Sequence, residues 1–272
     1  MNKEVFFHVG LGKTASTFLQ EQVFPHFTEV EYIHRDYRYQ KSGKIISEGN
    51  ETRYFVSREF DQQFEEEVTK FANHHPDTTA IIVFRRQDGW IASQYRRFFK
   101  NGHLIPFTEF FDLNNDQGVF KKVDLNYSHY LRMIEENFTK KPLVLFYEDL
   151  RQDPVAFINK IADTIGVTYK LSDVNLNPRH SSYSEKQLKA LRRVGGFVNI
   201  RKDNVEGKFA YLLTRFYTNF IRYNTLFIAK FLPDAWFGKE SLIPKEELER
   251  VRTHYQKDWE AVKAYALDNN PV

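Results

Sequence analysis

Lys13, Thr14, Ser16 and Thr17 fall within five residues in the stretch HVGLGKTASTFLQ (8–20), behind an apolar run and two glycines. A lysine and three hydroxyls at the opening of a helix make an anion cradle. The first N–H groups of a helix have no partner within it, its dipole favours negative charge, and the side chains add a cation and further donors. Gly12, Lys13, Thr14, Ala15, Ser16 and Thr17 are therefore the expected contacts of a phosphate or sulfate group. A second cationic position closes another apolar run, TAIIVFRR, with Arg85 and Arg86, and Ser93 follows eight residues after Arg85. Adjacent strand residues point to opposite faces. Arg85 and Arg86 thus face opposite sides if the strand persists, and Arg86 is left as a surface charge.

The triphosphate-binding pattern G-x-x-x-x-G-K-[ST] is met at GKT (12–14) but needs glycine at position 7, where Phe7 stands. The carboxylate that would hold Mg²⁺ at a strand end is also missing, with arginines in its place. Two anion sites without an evident metal site point to a nucleotide with separated phosphates, a 5′-phosphosulfate in the first loop and a 3′-phosphate near Arg85. A kinase or other phosphotransferase using ATP is the competing reading.

These residues need a scaffold, and the chain supplies one. Strands are expected at 4–10, 29–34, 53–57, 79–85 and 142–147, with helices at 15–24, 60–74, 89–100, 125–138 and 155–165. Dense apolar runs alternating with helical patterns predict an α/β fold, a parallel sheet covered on both faces. Beyond Gly166 the pattern turns helical. Ser184 caps one helix that glycines 195–196 stop, and another starts at Pro244. Residues 1–272 read as one domain, with an α/β core over 1–170 and a mainly helical part over 171–272.

The chain has 272 residues, 42% hydrophobic and 28% charged, with a net charge of +3 and no cysteine. That composition fits a globular protein, argues against nucleic acid as a partner, and excludes disulfides, thiol nucleophiles and cysteine–zinc sites. No stretch approaches the length of a membrane span, and no secretory signal is visible, so the cytoplasm is the expected compartment.

The motifs resemble the sulfotransferase family that uses 3′-phosphoadenosine-5′-phosphosulfate (PAPS). KTASTFL (13–19) is similar to the family's loop P-K-[ST]-G-[ST]-[ST]-x-L, with Ala15 in place of glycine. Arg85 and Ser93 repeat its arginine–serine spacing, with Gln87 where a proline is usual, and LFYEDLRQDP (145–154) resembles a third segment. The small bacterial-type members, with openings like HVG…KT…T…LQ, look closest. The resemblance implies a P-loop-like three-layer sandwich with about five parallel strands, PAPS as donor and no metal. It also implies a catalytic Lys13 at the leaving oxygen and further nucleotide contacts from Arg179 and Ser181 in NPRHSSYS (177–184), a loop that could equally be a plain helix cap.

Two residues compete as the base. Glu59, in RYFVSREFDQQF, matches the glutamate of carbohydrate-type members, or else is a first-turn acid of the helix at 60–74. His34, in EYIHRD, is the rival. The acceptor is expected to be a hydroxyl on a carbohydrate or glycolipid. Segment 192–230 holds eight Lys/Arg against two acids, interleaved with aromatics. Residues 207–236 could make a peripheral membrane contact at the inner surface, or pack an aromatic stripe on the domain with charges to water. A non-catalytic membrane module on the same fold is a third possibility.

Overall fold

The computed structural model describes residues 3–35, 37–176, 183–201 and 206–270. Arg179 and Ser181 lie outside the described residues. Five strands form one sheet in the order β2-β3-β1-β4-β5. These are β1 (Glu4–Leu11), β2 (Glu31–Ile33), β3 (Arg53–Phe60), β4 (Thr79–Phe84) and β5 (Leu143–Phe146). Every pairing is parallel. The longer helices, in chain order, are α1 (Phe64–Ala72), α2 (Gln87–Lys100), α3 (Tyr127–Asn137), α4 (Pro154–Ile165), α5 (Glu185–Gly195), α6 (Lys208–Ala229) and α7 (Lys245–Asn269).

The strands are apolar on both sides because helices cover both sides. Along β1, Val5, Phe7, Val9 and Leu11 join a core with Phe64 and Phe71 of α1, Leu131 and Ile134 of α3, and Val262 of α7. Phe6 turns the other way, toward Leu19, Phe24 and the α4 residues Phe157, Ile158 and Ile161. Phe7 is fully buried and stacks on Phe71 at 4.2 Å.

The chain divides into two compact units. The first, Met1–Trp90, Val123–Arg179 and His254–Val272, carries the sheet. Within it Asp258 of α7 accepts from the Tyr127 and Ser128 amides at 2.8 and 3.0 Å and from Gln87 at 2.9 Å. One carboxylate thereby ties the last helix to the starts of α2 and α3. The second unit, Ile91–Lys122 and His180–Thr253, holds a ring cluster in which Tyr95 meets Phe107 and Phe110 edge-on. It also holds α5, opened by a reciprocal capping box between Ser184 and Gln187, and α6, tied to α5 where Gln187 donates to the Leu226 carbonyl at 2.8 Å.

Three expectations are corrected. The strand predicted over 53–57 runs on to Phe60, because Arg58 and Glu59 keep pairing with Val9 and Gly10, and α1 begins only at Phe64. Glu59 therefore ends a strand and is no first-turn acid. The helix predicted over 15–24 is a short α-helical turn, Ser16–Phe18, widening into a π-helix, Leu19–Val23, and tightening into a 3₁₀ turn, Phe24–His26, where Pro25 supplies no N–H. Finally, α6 does not pack its aromatic stripe inward. Thr218, Arg222, Leu226 and Ala229 are its buried residues, while Phe209, Phe216, Phe220 and Phe227 are exposed.

Candidate active site

In an open parallel sheet the ligand crevice lies beyond the carboxyl ends of the strands, where successive connections leave in opposite directions. Here that point is the end of β1, flanked by β3 on one side and β4 on the other. The sequence places a candidate at each of these strand ends: the loop from Gly12 after β1, Glu59 on β3 and Arg85 just past β4.

The loop is tight. Since β1 persists to Leu11 and the helix opens at Ser16, only four residues join them. That is too short for the wrap of a triphosphate loop starting at position 7, and Phe7 sits in mid-strand instead. Lys13 and Ala15 both have left-handed backbones, with φ of 72° and 69°. Alternation of that kind curls successive amides into a concavity suited to an anion. A non-glycine residue there costs roughly 1–2 kcal/mol. Two hydroxyls staple the turn: Thr14 donates to the Leu11 carbonyl at 2.7 Å and Ser16 to the same oxygen at 3.1 Å. Both are buried, whereas Lys13, Ala15 and Thr17 are half-exposed.

Side chains approach both glycines closely. A Cβ on Gly10 would lie 2.8 Å from Ser16 Oγ, and one on Gly12 would lie 2.6 Å from an Asp61 carboxylate oxygen and 3.2 Å from one of Glu59. The Glu59 carboxylate thus rests against the cradle. Asp61 goes further and accepts from the Gly12 amide at 3.2 Å.

Arg85 reaches the loop from the other side. Its guanidinium donates to the Lys13 carbonyl at 3.3 Å and stacks over the Tyr147 ring at 4.6 Å. Tyr127 fixes the backbone beneath it by donating to the Arg85 carbonyl at 2.5 Å. Trp90, at the start of α2, donates to the Gly12 carbonyl at 2.7 Å. Arg86 turns away into a two-bonded pair with Asp88, 2.7 and 2.9 Å, while its own amide donates to Glu148. Ser93 lies farther along α2 and is half-buried.

His34 stands elsewhere. It follows β2, at the sheet edge, with Nε2 3.6 Å from a Glu21 carboxylate oxygen. With strands about 4.8 Å apart it is roughly 10 Å across the sheet from β1, whereas Glu59 is in register with Gly10 on the adjacent strand.

The family model for the sulfotransferase domain matches residues 7–212. The chain belongs to the sulfotransferase family. Among solved structures, a sulfotransferase from Alicyclobacillus acidocaldarius is similar at 12% identity and a TM-score of 0.52, over 72% of this chain and 93% of that one. Mouse sulfotransferase SULT7A1 complexed with PAP matches at 16% identity and a TM-score of 0.41, over 76% of this chain and 67% of the mouse chain. No curated protein sequence matches significantly.

Several residues around this sulfotransferase's candidate site were not singled out by the sequence. Trp90, Tyr127 and Asp61 act through bonds to residues distant in sequence, which no local pattern encodes. Tyr147 and Glu148 lie in the YED segment, whose part in holding the Arg85 strand end appears only once β5 lies beside β4. Beneath the loop, the fully buried His8 meets the Ser57 hydroxyl at 2.8 Å, and Gln20 donates to the same hydroxyl at 3.0 Å. Burial pushes the His8 imidazole down to about 3, so the ring is neutral at ordinary pH.

Proposed function

We propose that this sulfotransferase moves the sulfuryl group of PAPS to a hydroxyl on a carbohydrate or glycolipid acceptor. Residues 1–272 would act as one domain, 1–170 as the nucleotide-binding core and 171–272 as its helical part. Segment 207–236 would make peripheral contact at the cytoplasmic surface of a membrane. The observation that carries the donor reading is the meeting of three strand ends: the Arg85 guanidinium against the Lys13 carbonyl, and the Glu59 carboxylate against Gly12.

The residues fit a nucleotide with two separated anionic groups. Left-handed Lys13 and Ala15 curl the loop, Lys13 and Thr17 are half-exposed in it, and Arg85 adds a guanidinium that donates to its Lys13 carbonyl. Arg85 and Ser93 are assigned to the 3′-phosphate, with Arg179 and Ser181 as further contacts from the sequence pattern. PAPS, when bound, supplies the sulfuryl group and leaves as adenosine 3′,5′-bisphosphate. Lys13 holds positive charge where the bridging oxygen gains negative charge as its bond to sulfur breaks. Glu59 takes the proton of the acceptor hydroxyl as the new oxygen–sulfur bond forms. Its place beside the cradle, against the distant pairing of His34 with Glu21, supports Glu59 as the base.

The test is thermal shift combined with a sulfate-transfer assay. Adenosine 3′,5′-bisphosphate should raise Tm without Mg²⁺, while a response confined to Mg·ATP would replace this reading by a phosphotransferase. Lys13→Ala should cut turnover by about a hundredfold or more. Glu59→Gln should do likewise with the bisphosphate shift retained, and His34→Ala should leave turnover within about threefold. The opposite order would make His34 the base.

A further inference from the structure

The α6 helix buries a side of mixed polarity and exposes its phenylalanines. At 100° per residue, the buried positions Thr218, Arg222, Leu226 and Ala229 cluster on one side. Phe209, Phe216, Phe220, Phe227 and Phe231 fall in a strip about 60° wide, roughly 150° away from them. These five rings are 59–75% exposed, and Trp236 just beyond is 58% exposed. With about 200 Å² per ring, the strip presents on the order of 800 Å² of aromatic surface. The largest apolar patch on an ordinary monomer is about 300–600 Å² and is itself often functional.

Charge decides what covers it. Helix α6 contains no Asp or Glu, and its exposed bases Lys208 and Arg215, with Lys230 just after it, all lie to one side, about 60–125° around the helix from the middle of the strip, with Lys230 nearest. Bases to one side of an apolar stripe, on stems long enough to reach round toward its edge, suit an anionic interface. A second copy docked through α6 would set bases against bases with no acid on the helix to pair them, and Asp234 in the following turn is already paired with Lys186 at 2.9 Å. No helix among the described residues is long and apolar enough to cross a membrane. A face of this kind therefore lies on a bilayer rather than through it.

We infer that α6 and the turn through Trp236 form a docking surface for an anionic lipid bilayer, with Phe216 and Phe220 at its centre. This rests on the peripheral-contact reading above and gives it a face, an orientation and a lipid chemistry: the rings enter the headgroup region while Lys208, Arg215 and Lys230 meet lipid phosphates.

Flotation of the full chain with phosphatidylcholine vesicles, with and without phosphatidylglycerol, tests the inference without any turnover. Docking and sulfuryl transfer can therefore fail separately. The protein should float with the anionic vesicles about tenfold better than with the neutral ones, and less so as salt rises. Phe216→Glu/Phe220→Glu should weaken flotation on the order of a hundredfold, while the thermal shift with adenosine 3′,5′-bisphosphate is unchanged. Absence of flotation, or equal flotation by the variant, would overturn the inference. So would a concentration-dependent dimer, seen by sedimentation velocity and lost in the variant, which would give the face to a second copy.

Discussion

Ala15 bears the clearest cost of any single residue in the site. Its φ of 69° is a conformation that glycine adopts freely and alanine resists. Ala15→Gly should stabilise the protein by about 1 kcal/mol, less the small loss from a freer unfolded chain. That would raise Tm by about 2–4 °C, with bisphosphate binding retained. An unchanged or lower Tm would show that the methyl has packing value enough to offset the strain. His8 leads to a different prediction. The unfolded chain takes a proton on this ring near 6.5, but the native one only at about 3. Stability is therefore whole above pH 6.5 and falls by about 1.4 kcal/mol for each pH unit below it, until the native ring also protonates. His8→Gln, whatever its stability at pH 7.5, should flatten the decline of Tm between pH 6.5 and 4.5; parallel profiles would locate the acid sensitivity elsewhere.

At the scale of elements, the loop's residue types were readable because an anion cradle is a local device: glycines, a lysine and hydroxyls in a row. Arg85 was readable too, since a charge closing an apolar strand is an anomaly that asks for a partner. Glu59 was located, but its setting was misjudged. RYFVS looks like a complete strand, and the polar residues Arg58 and Glu59 extend it only because β1 offers partners as far as Leu11. Asp258 was invisible, since nothing in DWEAV announces that its carboxylate will hold two amides and Gln87 from elsewhere in the chain. Asp258→Ala should strip those donors of their acceptor and cost roughly 2–3 kcal/mol. It should also weaken bisphosphate binding, because Tyr127, which fixes the Arg85 backbone, loses its own anchor. Equal destabilisation with no effect on binding would confine Asp258 to the scaffold.

At the scale of the whole molecule, the parallel sheet followed from the two-faced apolar strands, which only helices on both sides can cover. The orientation of α6 did not. Aromatic stripes on helices usually face a core, so composition favoured burial, and only the folded chain shows Thr218 and Arg222 turned inward while the rings stay outside. The division into two compact units cuts α2 after Trp90, a break that no proline or charge run marks in GWIASQ. Acceptor identity is hidden for a related reason: an acceptor pocket is made by side chains far apart in sequence, and no short motif specifies it.

The bond from the Gly12 amide to Asp61 has a consequence for measured affinities. That amide is shared between the Asp61 carboxylate and the Phe60 carbonyl, the latter at 3.3 Å. Under the proposed donor reading, a nucleotide oxyanion reaching for this N–H competes with a carboxylate tethered beside it. Asp61→Ala should then tighten the bisphosphate, and unchanged affinity would show that the Gly12 amide is not one of its donors.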